Sequence, residues 1–171
     1  EKEIYPNNYH VKIALTGCPN DCIKSRMHDF GIVGMAEPQY DYGRCMGCEA
    51  CVTNCEKRVT GALTMSKGKV LRDERRCIGC GECILKCPTA AWTRNPTKFF
   101  ALLIMGRTGK KNPRIGEQFL QWASADVVVA IIKNTYGFVE KHIDRSLPKE
   151  HIGYIVDRVG YQEFRKTVLD G

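Results

Sequence analysis

Hydrophobic positions along the chain form short runs, separated by polar and glycine-rich breaks. Val11, Ile13 and Leu15 fall on alternate positions and predict a strand over residues 10–15. Thr16 and Gly17 end it, and the stretch after Pro19 is expected to begin a helix carrying Cys22, Arg26 and Asp29. Gly31 and Gly34 then break the pattern. Residues 37–97 show no long apolar period; they are dense in cysteine and punctuated by glycine. The run FFALLIM, from Phe99 to Met105, reads as a second strand, and the basic stretch GRTGKKNPRIG follows at 106–116. Helices are predicted over Glu117–Trp122 and over Val127–Ile143, the latter capped by Asp126 and apolar near the 3.6-residue period, although Gly137 weakens its continuity. HIGYIVDRVG and YQEFRKTVL predict two more short helices parted at Gly160. The pattern gives an α+β chain in which residues 1–36 and 98–171 form a partial α/β domain interrupted by a compact insert at 37–97. Two clear strands are a thin sheet for a complete layered domain.

Composition excludes several classes. No apolar run approaches the roughly 18 residues that suggest a membrane span, and the opening EKEIYPNNYH lacks the apolar core of a signal peptide. A cytoplasmic location is therefore expected. A chain that opens on Glu1 without Met is expected to be a portion of a longer product. The formal charge of +7 is spread out. No dense Lys/Arg patch with interleaved aromatics argues for nucleic acid.

Ten cysteines change the picture most. CMGCEACVTNC at 45–55 and CIGCGECILKCP at 77–88 are two copies of C-x2-C-x2-C-x3-C. Repeated cysteines two residues apart are poor disulfide partners and good metal ligands. Zinc also binds thiolates tetrahedrally, but a triplet with a distant fourth cysteine fits a two-cluster ferredoxin, in which the fourth thiolate of each repeat serves the other cluster. Two [4Fe–4S] clusters are thus expected: one on Cys45, Cys48, Cys51 and Cys87, the other on Cys77, Cys80, Cys83 and Cys55. Gly47, Gly79 and Gly81 give slack for amides to face sulfur, and KRVTGALTMSKGKVLRDERR between the repeats reads as a hairpin. Glu56 stands where the second repeat has Pro88. Cys18 and Cys22, four apart in TGCPNDC, could share one helical face and hold part of a further site, or could be small buried hydrophobes. Spacing leaves both readings open.

VKIALTGCPNDCIKSRMHDFGIVG resembles the second cysteine motif of the sirohaem-containing sulfite and nitrite reductases. With the insert and the tail MGRTGKKNPRIG…NTYGFVEKHI…EHIGYIVDRVGYQEFRK, the chain is most similar to the C-subunit branch of the anaerobic sulfite reductases, over its C-terminal portion. The resemblance implies that Cys18 and Cys22 are the later pair of ligands to a third [4Fe–4S] beside sirohaem. Cys22 would be the thiolate shared with the haem iron and hence the catalytic ligand. The earlier ligand pair has no counterpart here, so both groups are expected only in the complete enzyme and the chain alone is expected to be inactive. Sirohaem bears eight carboxylates. The resemblance favours cofactor contacts on Arg107, Gly109, Lys110, Lys111 and Arg114, with Lys24 and Arg26 as further cations, and Asn20 could hydrogen-bond a cluster sulfur. Asn20 also suits a helix cap. It further implies six-electron reduction of sulfite to sulfide, with electrons from an iron–sulfur subunit and a flavin subunit that oxidises NADH. Nitrite reduction and a free-standing ferredoxin-type carrier are the alternatives. His28 is read as satisfying a core hydrogen bond, with a proton relay as the alternative; His10, His142 and His151 suggest no site, and Trp92 and Trp122 read as core or interface residues.

Overall fold

A computed structural model describes residues 11–109, 111–147 and 149–170. In chain order its elements begin with β1 (Ile13–Thr16), a single 3-10 turn (Ser25–Met27), β2 (Phe30–Met35) and β3 (Pro38–Tyr40). Next come α1 (Ala50–Arg58), β4 (Leu63–Ser66), β5 (Lys69–Arg72), α2 (Glu82–Lys86) and β6 (Trp92–Arg94). The last third holds β7 (Phe99–Ile104), β8 (Glu117–Ala123), α3 (Ala125–His142), α4 (Ile152–Val159) and α5 (Tyr161–Asp170). The mixture is α+β, and it divides into two compact units.

Among the described residues, the first unit takes 11–17, Asp21–Val33 and those from Phe100 onward. Its sheet has the order β1-β2-β7-β8. β1 and β2 run parallel with Ile13 opposite Phe30, while β7 and β8 are antiparallel with an irregular register near Leu102. Phe30, Ile32, Leu102, Ile104 and Phe119 from the sheet share one core with Val128, Ile132, Phe138, Ile155 and Phe164 from α3, α4 and α5. Phe138 and Phe164 meet edge to face at 5.1 Å.

The sheet therefore has four strands where two were legible. Gly31 and Gly34 lie inside β2 rather than ending a pattern. A Cβ at Gly31 would stand 2.7 Å from the Ser25 carbonyl oxygen, so the glycine reports close packing of backbone, not a loop. Residues 117–122 form a strand instead of the expected helix, because pairing with β7 supplies the backbone hydrogen bonds and buries Phe119 and Ala123. No α-helix follows Pro19. Asp21 and Lys24 adopt left-handed φ of 46° and 55°, and the Asp21 carboxylate accepts from the Ser25 amide at 2.8 Å, leaving only the 3-10 turn. Helix α3 starts at Ser124, not Asp126: the Ser124 hydroxyl accepts from the Val127 amide at 3.4 Å. Gly160, at φ 112°, parts α4 from α5 as its position predicts. No helix among the described residues is long and apolar enough to cross a membrane.

The second unit comprises Cys18–Asn20 and Gly34–Phe99. β3 pairs antiparallel with β6, and β4 with β5. The β4–β5 hairpin turns on Lys67 and Gly68, both at positive φ (49° and 76°), which suits the right-handed twist of its strands. Helices α1 and α2 pack on each other. Together with Trp92, Leu63 and Val70 they bury Cys51 and Cys55 in a separate small core, against which Cys45, Cys77, Cys83 and Cys87 are half-buried.

Two glycines of the first unit should respond oppositely to an added methyl. At Gly106 a Cβ would lie 2.2 Å from the Arg26 oxygen and 2.5 Å from that of His28, both rigid backbone. Gly106→Ala should cost about 3 kcal/mol or more. Nothing lies within 4 Å of a Cβ at Gly137 inside α3, so Gly137→Ala should stabilise by about 0.5–1 kcal/mol. Denaturant midpoints of the two variants check both.

Candidate functional site

The repeats place eight cysteines around two small cavities of the second unit. Cys45, Cys48, Cys51 and Cys87 line one, together with Met46, Val70, Pro88 and Trp92. Cys55, Cys77, Cys80 and Cys83 line the other, with Pro38, Val59, Leu63 and Ile78. Each cavity thus takes three cysteines from one repeat and the last from its twin. Local geometry arranges this. Gly47, Gly79 and Gly81 have φ of 74°, 65° and 75°, and Glu49 takes φ 61° at the position equivalent to Gly81. These left-handed residues turn the chain into α1 and α2.

The two quartets differ electrostatically. In the first, a hydrogen bond from the Tyr40 hydroxyl holds the Cys45 thiol below its ordinary range, helped by the Gly47 amide and by Lys69. The Lys69 ammonium donates to the Tyr42 and Cys45 carbonyls at 2.7 and 2.8 Å. Burial opposes ionisation of Cys87, yet the amides of Trp92, Thr89 and Ala91 and the Thr89 hydroxyl outweigh it and hold that thiol low. The Ala91 amide reaches Cys87 Sγ at 3.2 Å. Burial pushes Cys51 up, against the indole of Trp92. In the second quartet desolvation dominates: Cys80 is raised, and Cys83 is pushed up to about 12, first by burial and then by the neighbouring Cys77 and Cys80.

The expected cofactors need correction. Among the described residues, no three His, Cys, Asp or Glu side chains form a group that could hold a metal ion. The enclosed spaces are about 10 and 20 Å³, on the scale of one water. Burial also favours the neutral thiol in much of the second quartet, whereas a metal ligand is a thiolate. The two [4Fe–4S] clusters expected on these cysteines, and the third cluster with sirohaem expected in the complete enzyme, are accordingly not assigned to this chain.

The remaining site residues are dispersed. Cys18 and Asn20 line a cavity of about 590 Å³ with Arg58, Val59, Ile78, Cys80 and Glu82 of the same unit. Both are exposed, and Asn20 caps no helix because none follows it. Cys22 is exposed and belongs to the first unit. Lys24 and Arg26 are exposed, and the Arg26 guanidinium reaches the Gly116 carbonyl at 3.5 Å.

In the basic stretch, Arg107 and Arg114 form an antiparallel bridge, with amide-to-carbonyl distances of 2.9 and 3.0 Å. Lys111 and Gly109 are exposed, and Lys110 lies outside the described residues. Arg107 donates to the Tyr154 hydroxyl at 2.6 Å, while Arg114 pairs with Asp157 and donates to the Gly153 carbonyl at 3.2 Å. Tyr154 and Asp157 were invisible in the sequence. They lie some forty residues from their partners and carry no local motif. The buried Asp29–His151 pair, at 3.3 Å, was missed for the same reason.

The sequence matches the family of nitrite and sulphite reductase 4Fe-4S domains over residues 1–170. It is 44% identical over its whole length to the C subunits of the anaerobic sulfite reductases of Salmonella typhimurium and of Salmonella typhi, covering 51% of each. It is 28% identical over 96% of its length to a coenzyme F420-dependent sulfite reductase of Methanocaldococcus jannaschii, covering 26% of that protein. The chain thus spans about half the length, or less, of these relatives. In fold it resembles the crystal structure of dissimilatory sulfite reductase I, with a TM-score of 0.61 at 21% identity, over 92% of this chain and 42% of the other.

The contrast between quartets sets a reactivity order. At pH 8 Cys45 should react with iodoacetamide well before Cys83, and Tyr40→Phe should slow Cys45 selectively. Peptide mass mapping reads both. An unfolded thiol ionises near 8.5 and folded Cys83 at about 12. The stability this burial contributes is therefore complete below about pH 8.5 and lost as pH rises towards 12. Cys83→Ala should flatten that decline.

Proposed function

This chain belongs to the nitrite and sulphite reductase 4Fe-4S domain family, and from that premise we propose that it serves electron transfer within a sulfite reductase complex. The complex would reduce sulfite to sulfide by six electrons, drawing them from an iron–sulfur subunit and a flavin subunit that oxidises NADH. The chain would be one portion of the catalytic subunit. High identity to the C subunits of anaerobic sulfite reductases across the whole chain supports this reading over a free-standing electron carrier. A chain so rich in thiols suits a reducing compartment such as the cytoplasm.

One observation carries the proposal: two cysteine quartets, each completed by the other's repeat. We take residues 37–97 as a ferredoxin-like insert in a reductase domain formed by 1–36 and 98–171, and the eight cysteines as the residues on which electron delivery depends. The compact second unit and its repeated loop-and-helix turns support that organisation. Cys18 and Cys22 belong, on this reading, to the reducing site of the complete reductase. The basic stretch around Arg107 and Lys111 takes up an anion there.

Removing the last cysteine of either repeat tests the role. In the full-length protein, Cys55→Ser and Cys87→Ser should each slow sulfite-dependent oxidation of reduced viologen by about tenfold or more, equal to 1.4 kcal/mol. Affinity for sulfite should stay unchanged. Wild-type rates in both variants would overturn the assignment.

A further inference from the structure

We infer that the face of the second unit outside the first cysteine quartet, formed by Tyr42, Met46 and Leu71 with Lys67 beside them, docks an electron-donating protein whose contact surface is acidic. The inference rests on the proposal that the eight cysteines carry electron delivery. It adds the side on which the donor binds and the chemistry of the surface it presents.

Access differs between the two quartets. Cys48 of the first is exposed, whereas Cys55, Cys77, Cys80 and Cys83 of the second are buried or half-buried. Cys80 also lines the cavity of about 590 Å³ that Cys18 lines, which sets the second quartet beside one of the two cysteines assigned to the reducing site. The first quartet is the outer one, and a protein donor can approach it most closely.

Hydrogen bonds gather apolar surface there. Lys69 Nζ donates to the Tyr42 and Cys45 carbonyls at 2.7 and 2.8 Å. A Cβ at Gly47 would stand 3.1 Å from the Gly68 carbonyl oxygen, so residues 42–47 lie along the tip of the β4–β5 hairpin. Met46 is 69% exposed, Tyr42 is 56% exposed, and Leu71, on the same face of β5 as Lys69, is 48% exposed. Three large apolar side chains left in solvent on one short segment and its packed hairpin exceed the scattered exposure normal on a surface. Tyr42 is also held in place: its ring lies 4.7 Å from that of Tyr40, which lies 4.5 Å from that of buried Trp92. A tyrosine ordered before contact loses little entropy on binding and makes a strong anchor.

Charge decides the occupant. Residues 34–99 carry eleven Lys and Arg against seven Asp and Glu. Lys67 is exposed at the hairpin tip, and Lys69 spends its hydrogen bonds on carbonyls. Asp41 is committed to Arg44 at 3.4 Å and to the amides of Gly43 and Arg44. Lys67 and Lys69 therefore set the sign of the rim, with exposed Glu49 as the opposing carboxylate. An acidic surface complements it. A second copy of this chain, itself at +7, does not.

Two donors compared on the full-length protein test this. Sulfite reduction is driven by the reduced iron–sulfur subunit of the complex at limiting concentration, and separately by reduced viologen, a small donor that needs no docking surface. The ratio of the two rates should fall about tenfold or more in Tyr42→Ala, which removes the anchor. Lys67→Glu should lower it about tenfold through lost steering. Dividing by the viologen rate removes any loss from misfolding. Raising salt from about 0.05 to 0.5 M should lower the wild-type ratio as well. Arg75→Glu, an equal change of charge beside the second quartet, should leave it unchanged. A ratio that survives Tyr42→Ala and Lys67→Glu, or that falls equally in Arg75→Glu, would overturn the surface, and so would a wild type that the subunit does not reduce. Indifference to salt would overturn the acidic partner. A dimer of this chain that Tyr42→Ala splits on sedimentation would give the face to a second copy and overturn the inference. All of these leave the electron-transfer reading standing; it falls only if viologen-driven rates survive Cys55→Ser and Cys87→Ser.

Discussion

Each of the two short helices of the second unit ends with a cysteine that belongs to the other's cavity. Cys55, late in α1, joins Cys77, Cys80 and Cys83, and Cys87, at the end of α2, joins Cys45, Cys48 and Cys51. Neither repeat can close its cavity alone, so packing of α1 on α2 is a condition for either quartet to form. Left-handed turns at Gly47, Glu49, Gly79 and Gly81 make the approach possible. A small core of Leu63, Val70 and Trp92 then seals it. Cys51 and Cys55 are buried in that core, and burial favours the neutral thiol at Cys51, Cys80 and Cys83.

Unequal surroundings of the two quartets follow from what flanks each repeat. The first has Tyr40, Lys69 and the turn at Thr89–Ala91, all bearing donors. The second is lined largely by apolar groups, among them Pro38, Val59, Leu63 and Ile78. Two copies of one motif therefore present sulfur in two dielectric settings. The charge count alone would not reveal it, since every thiol is formally the same.

In the first unit the controlling contact is between backbones. Gly106 lies so close to the backbone of Arg26 and His28 that it has no room for a side chain, and a Cβ at Gly116 would stand only 3.0 Å from the Arg26 and Ile104 oxygens. The Gly116 amide donates to the Arg26 carbonyl at 2.6 Å, and the Met105 amide to that of Asp29 at 2.9 Å. The end of β7 and the loop leaving it are thereby pinned to the segment before β2. α4 adds a second hold, with His151 beside Asp29 and Tyr154 and Asp157 on the two arginines. The basic loop is held at both ends, which gives its arginines fixed directions.

The spacing of ten cysteines, the hairpin between the repeats, the FFALLIM strand and the breaks at Gly160 were readable because each is a local signal: a repeat, an alternation, a φ only glycine tolerates well. Family membership was readable from TGCPNDC and its surroundings. The tertiary structure decided what local signals could not. Glu117–Ala123 became a strand because β7 offered it partners, and Gly31 sat within β2 because Ser25 lay against it. The short stretch after Pro19 lost its helix to two left-handed residues. Asp157 pairs with Arg114 while the Tyr154 hydroxyl accepts from Arg107, a division set by which face of α4 meets the loop. Residues remote in sequence carry no periodicity that relates them, so only the packed chain could show which side chain each arginine meets.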